Sequence, residues 1–259
     1  MDIFAFSQLS FFSFLLTLMR VSLIVFLFPF YGGESIPAMV KAFVCIILTL
    51  AIWPNLSFPG TMLPTHPFSL LLIMLSELIL GLMLALCIHF IFAGIQLGGE
   101  IMGFQMGFTM VTLADPLSGA QVSITSHFLH MVALLVFLVL DGHLVLLRGL
   151  ADSFYLIPPG GVNISGELTL DILHLSGDMF RVAVQIASPV IAALFMVELT
   201  LALMGKAAPQ MNLLTLGFPL KIAVGFFFIG MLFTVIAAEM GETIIDIGPM
   251  FDRLMRMAK

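Results

Sequence analysis

Residues 67–103 determine the fold class of this chain, and they read P-F-S-L-L-L-I-M-L-S-E-L-I-L-G-L-M-L-A-L-C-I-H-F-I-F-A-G-I-Q-L-G-G-E-I-M-G. An apolar run longer than about 18 residues is typical of a helix that spans a bilayer. At about 1.5 Å per residue, a helix of this length would extend roughly 55 Å, well beyond the roughly 30 Å of a hydrocarbon core. The sequence therefore predicts a membrane helix that either breaks near Gly94 or projects beyond the bilayer.

The rest of the chain is similarly apolar. Of its 259 residues, 61% are hydrophobic and only 9% are charged, whereas soluble domains carry about 25% charged residues. A chain with so few charges cannot cover a water-facing surface, so it must bury that surface in lipid or in partner proteins. The net charge of -6 forms no long run, and the absence of a basic patch argues against nucleic-acid binding.

Six apolar segments predict an all-α membrane protein with about six long helices. Prolines and glycines mark the segment ends, as at Pro54 and at Gly32-Gly33. We expect a single subunit over residues 1–259, with a loop at 104–122 and an amphipathic C-terminal tail at 239–259. The distribution of Lys and Arg favours a cytoplasmic C-terminus. The predicted helices are residues 4–30, 37–53, 67–103, 122–147, 182–204 and 213–238.

Glycines recur every few residues from the second half of the 67–103 segment into the following loop. Small residues aligned in one stripe allow the backbone of another helix to come close. We therefore expect close helix packing at these positions, and a loosely packed, glycine-rich helix end is the alternative. The predicted packing residues are Gly94, Gly98, Gly99, Gly103 and Gly107.

Several ionisable side chains interrupt the apolar segments. A charge at the bilayer centre costs about 2.5–3.5 kcal/mol on insertion scales, so these helices should face protein or water rather than lipid. Paired charges between packed helices are the simpler interpretation, and a proton or ion relay is the alternative. The predicted buried charges are Arg20, Lys41, Glu77, Glu198, Lys206 and Lys221.

Catalytic motifs are missing from the sequence, which contains no H-E-x-x-H, no Walker loop and no G-x-G-x-x-G. His127 and His130 are three residues apart, but no Cys or carboxylate follows at ligand spacing, so we expect no metal site. Cys45 and Cys87 lie in apolar segments and are interpreted as packing residues. We therefore expect a protein that is not an enzyme and that needs no cofactor.

Three stretches are similar to one protein family. They are P-F-Y-G-G-E-S-I-P at 29–37, residues 103–128 with D-P-L-S-G-A-Q at 115–121, and residues 198–225 with A-A-P-Q-M-N at 207–212 and G-F-P-L-K at 217–221. These stretches resemble FliR, the flagellar type III export-gate subunit family, and the third stretch is the most specific of them. Length and segment count extend the resemblance over essentially the whole chain.

The resemblance implies a non-enzymatic subunit of a helical export gate in the bacterial inner (cell) membrane, at the flagellar basal body. Members co-assemble with FliP-like and FliQ-like subunits and associate with an FlhB-like subunit, and unfolded flagellar proteins pass through the gate out of the cytoplasm. In the family the helices form hairpins that are lifted largely out of the bilayer plane. That arrangement would account for the overlong third segment and for the internal charges.

The resemblance also implies that the loop at residues 104–122 plugs the closed pore. Its bulky or flexible apolar groups suit this role, because hydrophobic constrictions can gate by excluding water. Gly103, Gly107 and Gly119 are candidate hinges, and an ordinary helix connector is the alternative interpretation. The predicted plug residues are Met106, Phe108, Met110, Leu113, Asp115 and Pro116.

Three rival functions remain open at this point. An injectisome gate subunit shares the architecture but exports effectors. A small-molecule or ion transporter would bind its substrate at the internal charges, and it predicts an inverted repeat that the sequence lacks. An intramembrane hydrolase would need a nucleophile or metal motif, and none is present in the sequence.

Overall fold

The computed structural model describes residues 8–29, 36–56, 66–108, 123–158, 160–163, 165–210 and 212–259. Within these ranges the chain forms seven α-helices, one short 3-10 turn (Trp53–Asn55) and no β-strand. The predicted all-α membrane fold is thereby confirmed. The helices are α1 (Gln8–Leu27), α2 (Ala38–Ile52), α3 (Pro67–Met106), α4 (Ile124–Val139), α5 (Gly142–Leu156), α6 (Gly166–Ala207) and α7 (Leu213–Met257).

Three of the helices are far longer than a simple membrane span. Helices α3, α6 and α7 contain 40, 42 and 45 residues, so each extends between about 60 and 70 Å, roughly twice the hydrocarbon thickness. Helix α3 continues through Gly94 without a break, so of the two predicted alternatives the structure shows the unbroken helix. Among the described residues, four helices could cross a membrane by length and composition: Ser10–Leu27, Pro67–Met106, Gly166–Ala207 and Thr215–Met257.

The segment predicted as one helix at 122–147 is two helices, α4 and α5, bent by 70°. The bend occurs at Asp141, which has a φ of 57°. Asp tolerates this left-handed conformation because its short polar side chain can bond locally. Asp141-Gly142 is a dipeptide that typically marks a turn. The turn was not predicted because the segment on both sides of it is apolar enough for one continuous membrane helix.

The two C-terminal helices extend well beyond their predicted bounds of 182–204 and 213–238. Much of the polar stretch at 150–178 is helical, because α5 runs to Leu156 and α6 begins at Gly166. The predicted tail at 239–259 continues α7, and its buried residues Ile247, Phe251 and Leu254 lie on one face. Charges on the exposed face lower the mean hydropathy of a segment without disturbing its helical period, which is why these regions were excluded from the predicted helices.

The chain divides into two compact units, each built from segments that are distant in sequence. Helices α3, α6 and α7 contribute residues to both units. Unit 1 comprises Met1–Phe90, Asp141–Leu175 and Ile244–Lys259, and unit 2 comprises Ile91–Leu140 and Ser176–Thr243.

Unit 1 holds the end of α7 in place through contacts with α5, with α6 and with the turn between them. The Asn163 amide donates to the Ala258 carbonyl oxygen at 2.7 Å, and Arg253 Nε lies 3.0 Å from Asp171 Oδ2. The Phe251 ring packs where Gly149 has no side chain, since a Cβ there would lie 2.5 Å from the ring. The last residues of the chain are therefore part of the packed unit rather than a separate amphipathic tail.

Candidate functional site

The described part of the 104–122 loop begins with a closed helix cap. Helix α3 ends at Met106, and Gly107 follows with a φ of 89°. The Gly107 amide donates to the Phe104 carbonyl at 3.0 Å, and the Phe108 amide donates to the Gly103 carbonyl at 3.0 Å. This is a Schellman motif, in which a residue of positive φ satisfies the last helix carbonyls. Glycine suits the position because it lacks a Cβ atom, whereas L-residues are strained at that φ.

This cap packs against α7 within unit 2. Met106 is fully buried, and a Cβ at Gly225 would lie 2.6 Å from its Cε atom. The cap glycine faces the Phe218 ring, whose Cε1 atom would lie 2.7 Å from an added Cβ. The Phe108 and Phe226 rings meet edge to face with centroids 6.2 Å apart. The start of the loop is therefore anchored to α7 by apolar contacts.

The predicted plug residues are thus divided between described and undescribed parts of the chain. Met106 is the last residue of α3 and belongs to the anchor, and Phe108 contacts α7 directly after the cap. The others lie outside the described residues; they are Met110, Leu113, Asp115 and Pro116.

The predicted packing glycines within α3 face two different helices, whereas the sequence predicted one stripe. Gly94 and Gly98 face α6: a Cβ at Gly94 would lie 2.9 Å from the Met179 carbonyl oxygen, and a Cβ at Gly98 would lie 3.0 Å from that of Ala183. Each helix contributes positions four residues apart, so the two backbones touch over a full turn. Gly107 belongs to the helix cap instead, because it follows the end of α3.

Gly99 and Gly103, the other two predicted packing glycines of α3, face the start of α4. A Cβ at Gly99 would lie 2.6 Å from the Ser126 Cα atom, and one at Gly103 would overlap the hydroxyls of Ser123 and Thr125. This approach allows Thr125 Oγ1 to donate to the Gly99 carbonyl at 2.9 Å. Ser126 Oγ likewise donates to a carbonyl of α3, that of Gln96, at 2.9 Å. Hydrogen bonds between uncharged groups therefore join α3 to α4.

An ion pair joins α6 to α7 in unit 2. Lys221 Nζ donates to Glu198 Oε1, and the two side chains are 21% and 40% exposed. Lys206, which the sequence placed among the buried charges, is exposed near the C-terminal end of α6. Pairing across the α6–α7 hairpin thus involves Glu198 and Lys221, and the predicted burial of Lys206 is wrong.

A wholly buried ion pair lies in unit 1. Arg20 on α1 meets Glu77 on α3 through two contacts, Nε to Oε2 at 2.6 Å and Nη2 to Oε1 at 2.8 Å. The planar guanidinium fits a carboxylate in this two-point geometry. Glu77 also accepts a hydrogen bond from the Gly160 amide at 3.3 Å. The remaining predicted charge, Lys41, is half-buried on α2.

Arg20 also binds the C-terminal end of α5. Its Nη1 atom donates to the Ser153 carbonyl at 3.0 Å and to the Ile157 carbonyl at 3.2 Å. The guanidinium carbon lies 4.2 Å from the centroid of the Phe154 ring. Carbonyls at a helix C-terminus carry partial negative charge, which a cation compensates. Arg20 therefore links α1, α3 and α5.

The sequence analysis missed the serine that begins α6. Ser165 Oγ accepts a hydrogen bond from the Leu168 amide at 3.1 Å and donates to the Met257 carbonyl at 3.3 Å. A Ser with a Glu in the following helical turn, here Glu167, is an ordinary N-cap signal. Across the described ranges, no group of three or more His, Cys, Asp or Glu side chains could hold a metal ion.

Comparison with known proteins assigns this architecture to a family. Residues 11–246 match the family described as Bacterial export proteins, family 1. The chain belongs to this family. Flagellar biosynthetic protein FliR of Escherichia coli (strain K12) is 32% identical over 220 residues, covering 85% of this chain and 84% of that protein.

Two further relatives are similar to this export protein over most of its length. Flagellar biosynthetic protein FliR of Bacillus subtilis (strain 168) is 32% identical over 217 residues, covering 83% of each chain. Surface presentation of antigens protein SpaR of Salmonella typhimurium (strain LT2) is 26% identical over 205 residues, covering 79% of this chain and 76% of that protein. The resemblance of this export protein to FliR is therefore confirmed.

Proposed function

We propose that this export protein is a non-enzymatic subunit of the flagellar type III export gate. With partner subunits it forms the pore through which unfolded flagellar proteins leave the cytoplasm. The observation that carries the proposal is the 32% identity to a protein named FliR over 85% of the chain. The long apolar helices and their backbone-close packing support the same role, because they form a scaffold rather than a reaction site.

The environment of the ionisable groups supports a structural role. The fully buried Arg20 and Glu77 bind each other, and Glu198 binds Lys221 across a hairpin. A proton relay needs a connected path of titratable groups, whereas each of these pairs joins neighbouring helices. The charges therefore serve packing and assembly in this proposal.

The loop at 104–122 is the plug of the closed gate in this proposal. Its start is fixed by the Gly107 cap and by the contact of Phe108 with α7. A pore that passes an unfolded chain must admit about 10–12 Å if the chain is helical. An open ring of that width would leak ions, so a movable apolar obstruction is the simpler closure.

The exposed apolar surface supports assembly with other membrane subunits. Large hydrophobic side chains such as Phe195, Leu203 and Phe227 are more than half exposed in the isolated chain, and patches of this kind mark protein or membrane contacts. FliP-like, FliQ-like and FlhB-like subunits are the proposed partners. The proposed location is the flagellar basal body in the bacterial inner (cell) membrane, with a cytoplasmic C-terminus.

An injectisome gate subunit is the second candidate, because the SpaR relative covers 79% of the chain. In that system the exported substrates would be effectors rather than flagellar proteins. The lower identity, 26% against 32%, makes the flagellar assignment the preferred one.

The test is co-expression of the tagged chain with the FliP-like and FliQ-like chains of its own genome, in cells that lack the native copy. Native mass measurement of the complex and the flagellar protein secreted into the medium are the two readouts. A stable complex and restored flagellar secretion are expected. A long-lived isolated monomer that binds a small solute would support a transporter instead, and restored effector secretion alone would support the injectisome.

A further inference from the structure

Helix α3 carries an exposed carboxylate in unit 2 that the packing of the chain does not use. Over its 40 residues, α3 contains two carboxylates, Glu77 and Glu100, and no Lys or Arg. Glu77 is buried and paired with Arg20, whereas Glu100 is exposed. Among the described residues, no ion pair includes Glu100. The two carboxylates of one apolar helix therefore differ in that only Glu77 has a cation.

The chain itself does not supply a cation for Glu100. All nine Lys and Arg residues lie within the described ranges, and none of them forms an ion pair with this carboxylate. Four of the nine pair with other carboxylates, and these are Arg20, Arg181, Lys221 and Arg253. A cation that pairs with Glu100 therefore has to come from another molecule.

Glu100 lies on the side of α3 that is turned away from its neighbours in unit 2. The predicted packing glycines occupy the sides that meet α6 and α4. Spacings of four, three and four residues place a second set of side chains on the opposite side of the helix. Such spacings are typical of a face that contacts one partner helix. The residues of this outward face are Ala93, Leu97, Glu100 and Phe104.

The mixed character of the outward face indicates what covers it. Water would solvate the Glu100 carboxylate but would leave the Phe104 ring, which is 67% exposed, uncovered. Hydrocarbon would cover the ring, but a lone carboxylate is costly in hydrocarbon, and anionic head groups would repel it. A protein helix that has apolar residues and one Lys or Arg suits both the ring and the carboxylate.

We propose that the outward face of α3 in unit 2 docks a helix of a neighbouring subunit, whose Lys or Arg pairs with Glu100. Leu97 and Phe104 pack against apolar residues on either side of that cation. Because Phe104 lies in the last turn of α3, the docked helix covers α3 up to its C-terminal end. The inference rests on the proposed gate function and adds to it the chemistry of one partner helix.

Photocrosslinking in the membranes of the source cells identifies the occupant of this face. A photoreactive phenylalanine analogue replaces Phe104, and the crosslinked peptides are mapped by mass spectrometry. We expect a crosslink to a helix of a FliP-like or FliQ-like chain that has a Lys or Arg within about one helical turn of the joined residue.

Charge variants at position 100 test the ion pair itself. Glu100→Lys should lower the amount of assembled complex by at least about tenfold, because it sets two cations against each other in a desolvated contact. Glu100→Gln keeps the shape of the side chain and should have a smaller effect. Reversing the charge of the crosslinked Lys or Arg in the partner should restore most of the complex in the Glu100→Lys variant.

Two controls separate docking from folding. Glu242→Lys changes another exposed acid of unit 2, one that lies in the polar stretch between Glu239 and Asp246, and it should leave the amount of complex unchanged. The stability of the isolated chain in mild detergent should be the same for Glu100→Lys and the wild type, because surface substitutions rarely change it.

The proposal is overturned by a crosslink that reaches only lipid or only this chain, or by a crosslinked partner helix without a basic residue. Unchanged assembly of Glu100→Lys would also overturn it, since the carboxylate would then face water. Each of these results, obtained with normal wild-type assembly and flagellar secretion, leaves the proposed gate function intact. A crosslink to a basic helix of a protein outside the export gate, with rescue by charge reversal, would support the docking site and contradict the gate function.

Discussion

Arg20 and Glu77 are 57 positions apart in sequence, yet their side chains form a two-point ion pair that is wholly excluded from solvent. The same guanidinium binds carbonyls at the end of α5. The same carboxylate binds the backbone at Gly160, where φ is 81°. One pair thereby fixes the relative positions of three helices and a turn.

Removing either partner of this pair should destabilise the chain strongly. Arg20→Met leaves Glu77 buried without its cation, and breaking a buried pair in this way typically costs about 3–5 kcal/mol. The free energy of unfolding in mild detergent measures the loss. Arg181→Met is the matched control, because Arg181 forms an exposed pair with Asp178 and surface substitutions usually change stability by less than about 0.5 kcal/mol. A similar loss in both variants would contradict the prediction.

The double variant Arg20→Met with Glu77→Leu should lose less stability than the two single variants added together. Neither charge is then left buried alone, although Ser153 and Ile157 still lose a donor to their carbonyls. The same unfolding measurement gives the coupling. Additive losses would show that the two residues act separately.

Glycine substitutions should distinguish helix faces that contact a neighbouring helix from faces that do not. Gly98→Leu should disrupt unit 2, since even a Cβ there would lie 3.0 Å from the Ala183 carbonyl oxygen. Gly177→Leu is the control, because no described atom beyond its own helix and chain neighbours lies within 4 Å of its Cβ position. Resistance of the detergent-solubilised chain to protease should fall only for Gly98→Leu. Equal resistance would show that α3 and α6 can separate without harm.

Exchanging the charges of Glu198 and Lys221 should restore part of the complex assembly that a single substitution in this pair lowers. Lys221→Ala should lower the amount of assembled complex, and Lys221→Glu combined with Glu198→Lys should recover part of it. The effect should be about 1 kcal/mol or less, since the pair is partly exposed. Lys206→Ala, which changes an exposed lysine, should leave assembly unchanged. Normal assembly with lost export in Lys221→Ala would instead indicate a direct role in transport.

Deleting residues 110–119 should make the gate leaky while the complex still assembles. The anchor at Met106 and Phe108 remains in such a variant, so α3 and α7 should pack as before. Uptake of a normally excluded small solute, compared with wild type at equal complex abundance, is the measurement. A tight gate after this deletion would place the closure in the partner subunits.

The sequence predicted the helical membrane fold well because uncharged apolar runs of bilayer length are typical of membrane helices and rare in soluble domains. It also identified the charges that pair, Arg20 with Glu77 and Glu198 with Lys221, but it did not assign the partners. Partner choice depends on which helices meet. That information lies in contacts between residues far apart in the chain.

The predicted bounds were wrong where polarity and helicity diverge. Charges on the exposed side of α6, such as Asp178 and Arg181, resembled a loop in a hydropathy profile. Asp141 breaks an apolar segment through its backbone conformation alone. Of the candidate hinges, Gly103 is packed against α4 and Gly107 closes a helix cap, positions that the sequence did not indicate; their role as hinges stays a prediction.

Gly103 contacts Ser123 and Thr125, so the two ends of the loop between them lie close together. Fourteen residues separate Phe108 from Ser123. At roughly 3.5 Å per residue, out and back, a chain of that length can extend no more than about 25 Å from its ends. Both attachment points are held by uncharged contacts, which neither salt nor pH weakens, so changes in ionic strength or pH should leave them in place.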